Sequence, residues 1–147
     1  MIFARVAVRA MFLTLPTACA PRQSGTVSSR APAVVQGTFV DDYGQRYSIN
    51  DTIWQHGSAS RYHVMRWDTA GMFAIAQNDS ANPGDGNKWT RIDWTDLAQQ
   101  SPYTWGYCYT AYEAESPSEA RDAIAPDRAN PRTGCNGFPF TRMRAAR

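Results

Sequence analysis

Residues 61–76 decide the fold: Arg61-Tyr-His-Val-Met-Arg-Trp67 is followed by Asp68-Thr-Ala-Gly71 and then by Met72-Phe-Ala-Ile-Ala76. Both outer runs are rich in aromatic and aliphatic residues, whereas the four residues between them are typical of a turn. The stretch therefore predicts an antiparallel β-hairpin. Strict alternation along the first strand divides its side chains between two faces, with His63, Met65 and Trp67 opposite Tyr62, Val64 and Arg66.

Short runs of the same kind recur along the chain. They lie at residues 38–40 and 45–49, which form a second hairpin, and at residues 88–94, 102–112 and 137–143. Pro139 cannot donate a backbone hydrogen bond, so the last run is expected at the edge of the sheet. The pattern predicts a mainly β domain over residues 37–147, with a small antiparallel sheet curled or closed into a barrel.

One short helix is expected late in the chain. Ser116-Pro-Ser-Glu119 has the pattern of a capping box with proline at the first helical position, and Pro126 ends the segment. A helix this short is stable only when it packs against the sheet.

The charge balance argues against a polyanionic partner. The chain of 147 residues carries 15 Lys and Arg against 13 Asp and Glu, and two of the basic residues are Arg5 and Arg9. Without those two, positive and negative side chains are equal in number. No basic face for phosphate groups is visible, so nucleic-acid binding is not expected.

The first 18 residues have the pattern of an export signal. Arg5 and Arg9 precede an apolar stretch of about ten residues, which is shorter than the roughly 20 needed to span a bilayer. The sequence Leu15-Pro-Thr-Ala-Cys19 resembles the lipobox of bacterial lipoproteins, with its leucine four residues before the cysteine. The alternative is ordinary signal-peptidase cleavage after Ala18-Cys-Ala20.

The resemblance implies that residues 1–18 are removed and that Cys19 is lipidated, which anchors the protein to a membrane. Ala20 follows the cysteine, and in double-membraned bacteria the absence of Asp there implies the outer membrane. Residues 19–36 are rich in Ser, Pro and Ala, which is typical of a flexible tether. The expected location is therefore the cell envelope.

Cys108 and Cys135 remain once Cys19 is assigned to the lipid. An oxidising compartment favours a structural disulfide between them. The alternative is a redox pair or a metal site, but the wide spacing lacks a CxxC motif and only His56 and His63 are available to assist. The sequence predicts neither a cofactor nor a bound metal.

The aromatic residues are the strongest functional indication. Five Trp and seven Tyr are many for a domain of this size, and alternation puts them on both faces of the later strands. The aromatic side chains on one face fill the core, and those on the other face are expected to stack on a ligand or enclose it. Candidate binding residues for a small apolar or saccharide ligand, or for an envelope protein, are Trp67, Trp89, Arg91, Trp105 and Tyr107.

Two other functions stay open at the sequence level. A histidine side chain can act as a general base near neutral pH, and His63 together with Asp93 is the candidate centre of an envelope hydrolase, although no catalytic motif accompanies either residue. The loop at residues 78–87 is rich in oxygen ligands for calcium but lacks the order of an EF-hand. A purely structural or assembly lipoprotein, whose aromatics are all core, is the third possibility.

Overall fold

The computed structural model describes residues 27–147. Residues 1–26, which include the predicted signal sequence and Cys19, lie outside the described part of the chain. The described elements follow one another in the order β1 Val27–Ser28, β2 Gly37–Asp41, β3 Arg46–Ile49, β4 Ile53–His56, β5 Ser60–Asp68, β6 Phe73–Asn78, β7 Trp89–Asp96, β8 Trp105–Ala114, α1 Pro117–Asp122 and β9 Thr141–Ala145.

The strands form a closed antiparallel barrel of eight strands. Each strand from β2 to β8 pairs with the next one along the chain, and β9 pairs with both β8 and β2. This confirms the predicted fold class, including both hairpins and the single late helix. β9 lies between two partners, so the expectation that Pro139 would put this strand at an edge is wrong: the strand begins at Thr141, after the proline.

The barrel has two ends, which we call the mouth and the base. The mouth carries the connections at residues 42–45, 57–59 and 79–88. The base carries the connections at residues 50–52, 69–72 and 97–104. β1 also lies at the base, where Val27 pairs with Asp68, and Val35 is fully buried in the core. Part of the segment 27–36, which lies within the predicted flexible tether, therefore packs against the barrel.

Large side chains occupy the barrel interior. Every strand of the ring contributes to a single core cluster, and these residues include Phe39, Tyr47, Trp54, Trp67, Ala74, Ile92, Trp105 and Met143. An eight-stranded barrel has an interior just wide enough for side chains or one small ligand. Four of the five tryptophans are used in this interior packing, namely Trp54, Trp67, Trp94 and Trp105.

A β-bulge changes the predicted faces of β5. Val64 pairs with Ala76 but Arg66 pairs with Ile75, so Met65 is an extra residue in the ladder. The extra residue reverses the alternation that follows it. Trp67 therefore faces the interior with Val64, and its predicted grouping with His63 and Met65 is wrong.

The helix and the segment that follows it cover the outside of β6–β8. The Ser116 hydroxyl accepts a hydrogen bond from the Glu119 backbone at 3.1 Å, as the capping pattern predicts. Ala120 is fully buried in a second cluster formed with residues on the outer face of the barrel, which are Phe73, Ile75, Trp89 and Ala114. This outer layer continues towards the disulfide and helps to form the mouth.

Candidate ligand-binding site

A cleft of about 560 Å³ opens at the mouth of the barrel. It lies beside the second half of β8. Only Trp105–Tyr107 of that strand pair with β9, so the rest of the strand, as far as Ala114, has no β9 partner on that side. Six aromatic side chains line this tyrosine cleft, together with the disulfide and a few polar groups. The lining residues are Tyr43, Tyr62, Asp85, Tyr107, Cys108, Tyr109, Tyr112, Cys135, Asn136, Phe138, Pro139 and Thr141.

Tyr109 lies at the centre of the aromatic lining. Its ring centroid is 4.9 Å from that of Tyr107 and 5.3 Å from that of Tyr62. The Tyr109 hydroxyl is buried and has no hydrogen-bond partner among residues 27–147. Burial raises the pKa of Tyr109 well above its ordinary value, so the hydroxyl stays neutral.

A chain of hydrogen bonds fixes the neighbouring tyrosines. The Tyr47 hydroxyl donates to Asp41 at 3.0 Å and lies 2.8 Å from the Tyr107 hydroxyl. His56 stacks on the Tyr47 ring at a centroid distance of 4.5 Å. Burial raises the pKa of Tyr107 to about 12 and lowers the pKa of His56. Tyr107, the member of this chain that lines the cleft, is therefore held by a hydrogen bond and keeps a neutral hydroxyl.

Asp85 places a carboxylate at the rim. The Asn78 side chain holds the β6–β7 loop by donating to the backbone carbonyls of Asp85 at 3.0 Å and Tyr112 at 3.1 Å. Burial raises the pKa of Asp85, and the charge of Glu113 adds to this effect. None of the ion pairs within residues 27–147 includes Asp85, and no Lys, Arg or His lines the cleft.

The disulfide forms the other rim. Cys108 and Cys135 are bonded, with their Cα atoms 5.5 Å apart, which confirms the predicted pair. The chain then turns tightly, because Cys135 and Phe138 exchange backbone hydrogen bonds of 2.9 and 2.8 Å. The left-handed φ angles at Asn136 and Gly137 suit these two residue types. The turn leaves Phe138 72% exposed beside the cleft.

Asp93 holds the outer layer in place. Its fully buried carboxylate accepts two hydrogen bonds from Arg91 at 2.8 and 3.0 Å, one from Arg128 at 2.6 Å and one from Thr110 at 2.5 Å. Arg91 also donates to backbone carbonyls at the end of α1. Gly134 completes the segment, because a Cβ there would lie 1.9 Å from the carbonyl oxygen of Asp127. These contacts position the disulfide turn over β8.

No protein-family model, curated protein or solved structure matches the chain. The geometry of the cleft therefore carries the functional assignment. Within residues 27–147, no helix is long and apolar enough to cross a membrane, and no group of three or more His, Cys, Asp or Glu side chains is arranged to hold a metal ion.

The structure separates the five predicted binding residues. Trp67 and Trp105 are fully buried in the barrel interior, and the Trp67 indole donates to the backbone carbonyl of Asp51. Trp89 packs against the helix cluster, and Arg91 binds Asp93 in the outer layer. Tyr107 is the member of this set that lines the cleft.

His63 and Asp93 do not lie together. His63 is on the outer wall, with its Nε2 atom 3.0 Å from an Asp79 carboxylate oxygen, whereas Asp93 is enclosed by Arg91 and Arg128. Several polar side chains of the loop at residues 78–87 bond to the protein backbone. Asn82, for example, both donates to and accepts from the Arg61 backbone.

Sequence reasoning missed most of the cleft. Tyr62, Asp85, Tyr109, Tyr112 and Phe138 come from two strands and two connections, which only the closed barrel brings together. One signal was available for Tyr109, because alternation places it on the same face as Tyr107 and Trp105.

Proposed function

We propose that this chain is a non-catalytic ligand-binding protein of the bacterial cell envelope, and that the tyrosine cleft is its binding site. The single observation that carries the proposal is a cleft of about 560 Å³ whose lining combines six aromatic side chains with the carboxylate of Asp85. Small-molecule sites typically have 300–1,000 Å³, mostly apolar walls and a few well-placed polar groups.

The chemistry of the lining favours binding over catalysis. A general base or nucleophile must be activated near neutral pH. Burial instead raises the pKa values of Tyr107 and Tyr109, which keeps their hydroxyls protonated. The His63–Asp79 pair is outside the cleft and is half exposed.

The envelope location rests on the resemblance of residues 15–19 to a lipobox and is supported by the disulfide, which is typical of exported proteins. Residues 20–26 would span at most about 25 Å. Because β1 begins at the base of the barrel, an anchor at Cys19 would hold the base near the membrane. The mouth would then face away from the bilayer and remain accessible.

Native mass spectrometry of the full chain, purified from the envelope of an expressing bacterium, tests ligand binding. We expect an additional mass that survives gentle ionisation and is lost on denaturation. The variant Tyr112→Ala, which removes a cleft ring, should lose this mass. Ile124→Ala, at an exposed apolar residue outside the cleft, should retain it. An unliganded chain in every preparation would favour a structural or assembly role.

Metabolic labelling with an alkyne-tagged fatty acid tests the anchor. The wild-type chain should incorporate the label and sediment with membranes. Cys19→Ala should do neither, while its Cys108–Cys135 disulfide should form as before. Incorporation of label by the Cys19→Ala variant would contradict lipidation at this residue.

A further inference from the structure

We infer that the ligand of the tyrosine cleft is a small organic cation with an alkylated ammonium group, held between aromatic ring faces and the carboxylate of Asp85. This inference rests on the proposed binding function and goes further by naming the chemical class of the ligand. It follows from the charge and the hydrogen-bonding capacity of the lining residues.

The aromatic lining is suited to a positive charge. The face of each ring carries negative electrostatic potential, which attracts ammonium groups within about 6 Å of the ring centroid. Tyr62, Tyr109 and Tyr107 lie with neighbouring centroids about 5 Å apart, and Tyr112 and Phe138 add exposed rings at the rim. The three packed tyrosines form one wall of the cleft, and a cation would lie against this wall and beside the exposed rings of the rim.

The fixed charge of the cleft has the complementary sign. Asp85 is the charged side chain in the lining, and none of the ion pairs in the described part of the chain neutralises it. Lys88, the single lysine of the sequence, pairs instead with Glu115. A cation in the cleft would supply the missing partner, whereas an anion would meet Asp85 without a counter-charge.

The polar groups in the inner part of the cleft are already engaged within the protein. The Asn136 amide already lies against the backbone carbonyls of Tyr109 and Thr110, and the Tyr107 hydroxyl is paired with Tyr47. At the exposed rim, Tyr43 and Tyr112 present hydroxyls beside the free carboxylate of Asp85, which is the charged group of the lining. A sugar presents several hydroxyls that must each be satisfied when buried, whereas an alkylated ammonium group needs mainly ring faces and a carboxylate.

Calorimetric titration of the full chain with choline and with its neutral carbon isostere, 3,3-dimethyl-1-butanol, tests the charge directly. The two probes have nearly the same shape, so a difference between them reports the positive charge. We expect choline to bind about tenfold more tightly, since one to two kcal/mol of cation–π and ionic attraction separates the probes. Glycerophosphocholine serves as a third probe, because tighter binding than choline would indicate a lipid headgroup as the source of the cation.

Two variants locate the binding. Asp85→Asn should weaken choline binding several-fold and leave the isostere unchanged, and Tyr112→Leu should weaken choline while preserving an apolar side chain. The matched control is Asp122→Asn, an exposed carboxylate outside the cleft, which should bind choline as the wild type does. Circular dichroism confirms that each variant is folded.

These experiments distinguish a wrong ligand class from a wrong binding function. Equal binding of choline and its isostere, or preferential binding of a neutral sugar such as glucose, would overturn the cation and leave a ligand-binding cleft. No binding of any probe, together with no co-purifying mass in the native spectra, would overturn both.

Discussion

At the scale of single residues, Asp93 joins the outer layer to the barrel. Its carboxylate is fully buried and is shared by Arg91, Arg128 and Thr110. Asp93→Asn would leave two guanidinium groups in the outer layer without their counter-charge. We expect it to lower the free energy of unfolding by about 3–5 kcal/mol, because removing one partner of a buried ion pair strands the other. Urea denaturation monitored by tryptophan fluorescence measures the change.

The control for that experiment is Asp122→Asn. Asp122 is exposed and pairs with the adjacent Arg121, so its urea midpoint should match the wild type. If Asp93→Asn also had the wild-type midpoint, the Asp93 contacts would contribute nothing to stability.

His56 should make the fold sensitive to mild acid. Burial lowers the pKa of His56 below its ordinary value of 6.5, and Asp41 opposes this in part. The unfolded chain therefore binds a proton more readily, and the free energy of unfolding falls as the pH decreases through 6.5. Below the lowered pKa of His56 in the folded protein, this residue no longer makes the free energy of unfolding depend on the pH.

His56→Phe tests this dependence because it keeps a ring against Tyr47 but cannot bind a proton. Between pH 7.5 and 5.5, we expect the wild type to lose more stability than the variant in otherwise identical urea titrations. The raised pKa of Asp85 has the opposite effect on stability at lower pH. Because Asp85 is present in both proteins, its contribution does not alter the difference between them. Parallel pH profiles would show that His56 is not the titrating group.

At the scale of elements, the disulfide joins β8 to the segment before β9. The bridge closes a loop with a sequence separation of 27 residues, which corresponds to about 3–4 kcal/mol in the chain-entropy treatment. The double variant Cys108→Ala/Cys135→Ala should therefore unfold at a clearly lower urea concentration. Reduced wild-type protein should behave like the double variant, and a stable reduced protein would refute the prediction.

The elements themselves were largely predictable from alternation and turns. The hairpin at residues 61–76 and the capped helix at Ser116 are local, so short-range patterns determine them. The strand Ile53–His56 was not predicted, since its four residues carry little alternation. The bulge at Met65 was also missed, because the partner strand and not the local sequence determines which residue is extra.

The site was less predictable than the elements. Alternation correctly grouped Tyr107 with Tyr109 and grouped Trp89 with Arg91 and Asp93, but it could not show which face would be covered. That depends on residues 123–140, which cross the outside of the barrel through contacts distant in sequence, such as Arg128 to Asp93. Tyr62 meets Tyr109 only after eight strands have closed into a ring.

At the scale of the whole molecule, β9 is the strand that closes the ring. It connects β8 to β2, and Met143 is fully buried in the interior. Without β9, both neighbours would present unpaired edges, which tend to associate with other chains. Water would also enter the interior along the gap, so the loss of stability would be larger than that from the contacts of β9 alone.

A chain ending at Phe140 tests this role of β9. We expect it to lose the cooperative urea transition and to aggregate, because the single core cluster draws on all eight strands. Met143→Ala keeps the backbone pairing and should remain folded, with a loss of about 2–5 kcal/mol from the cavity that it creates. A chain lacking only the exposed Arg147 should unfold like the wild type. If the chain ending at Phe140 still gave coincident, cooperative transitions by fluorescence and circular dichroism, the barrel would not need its closing strand.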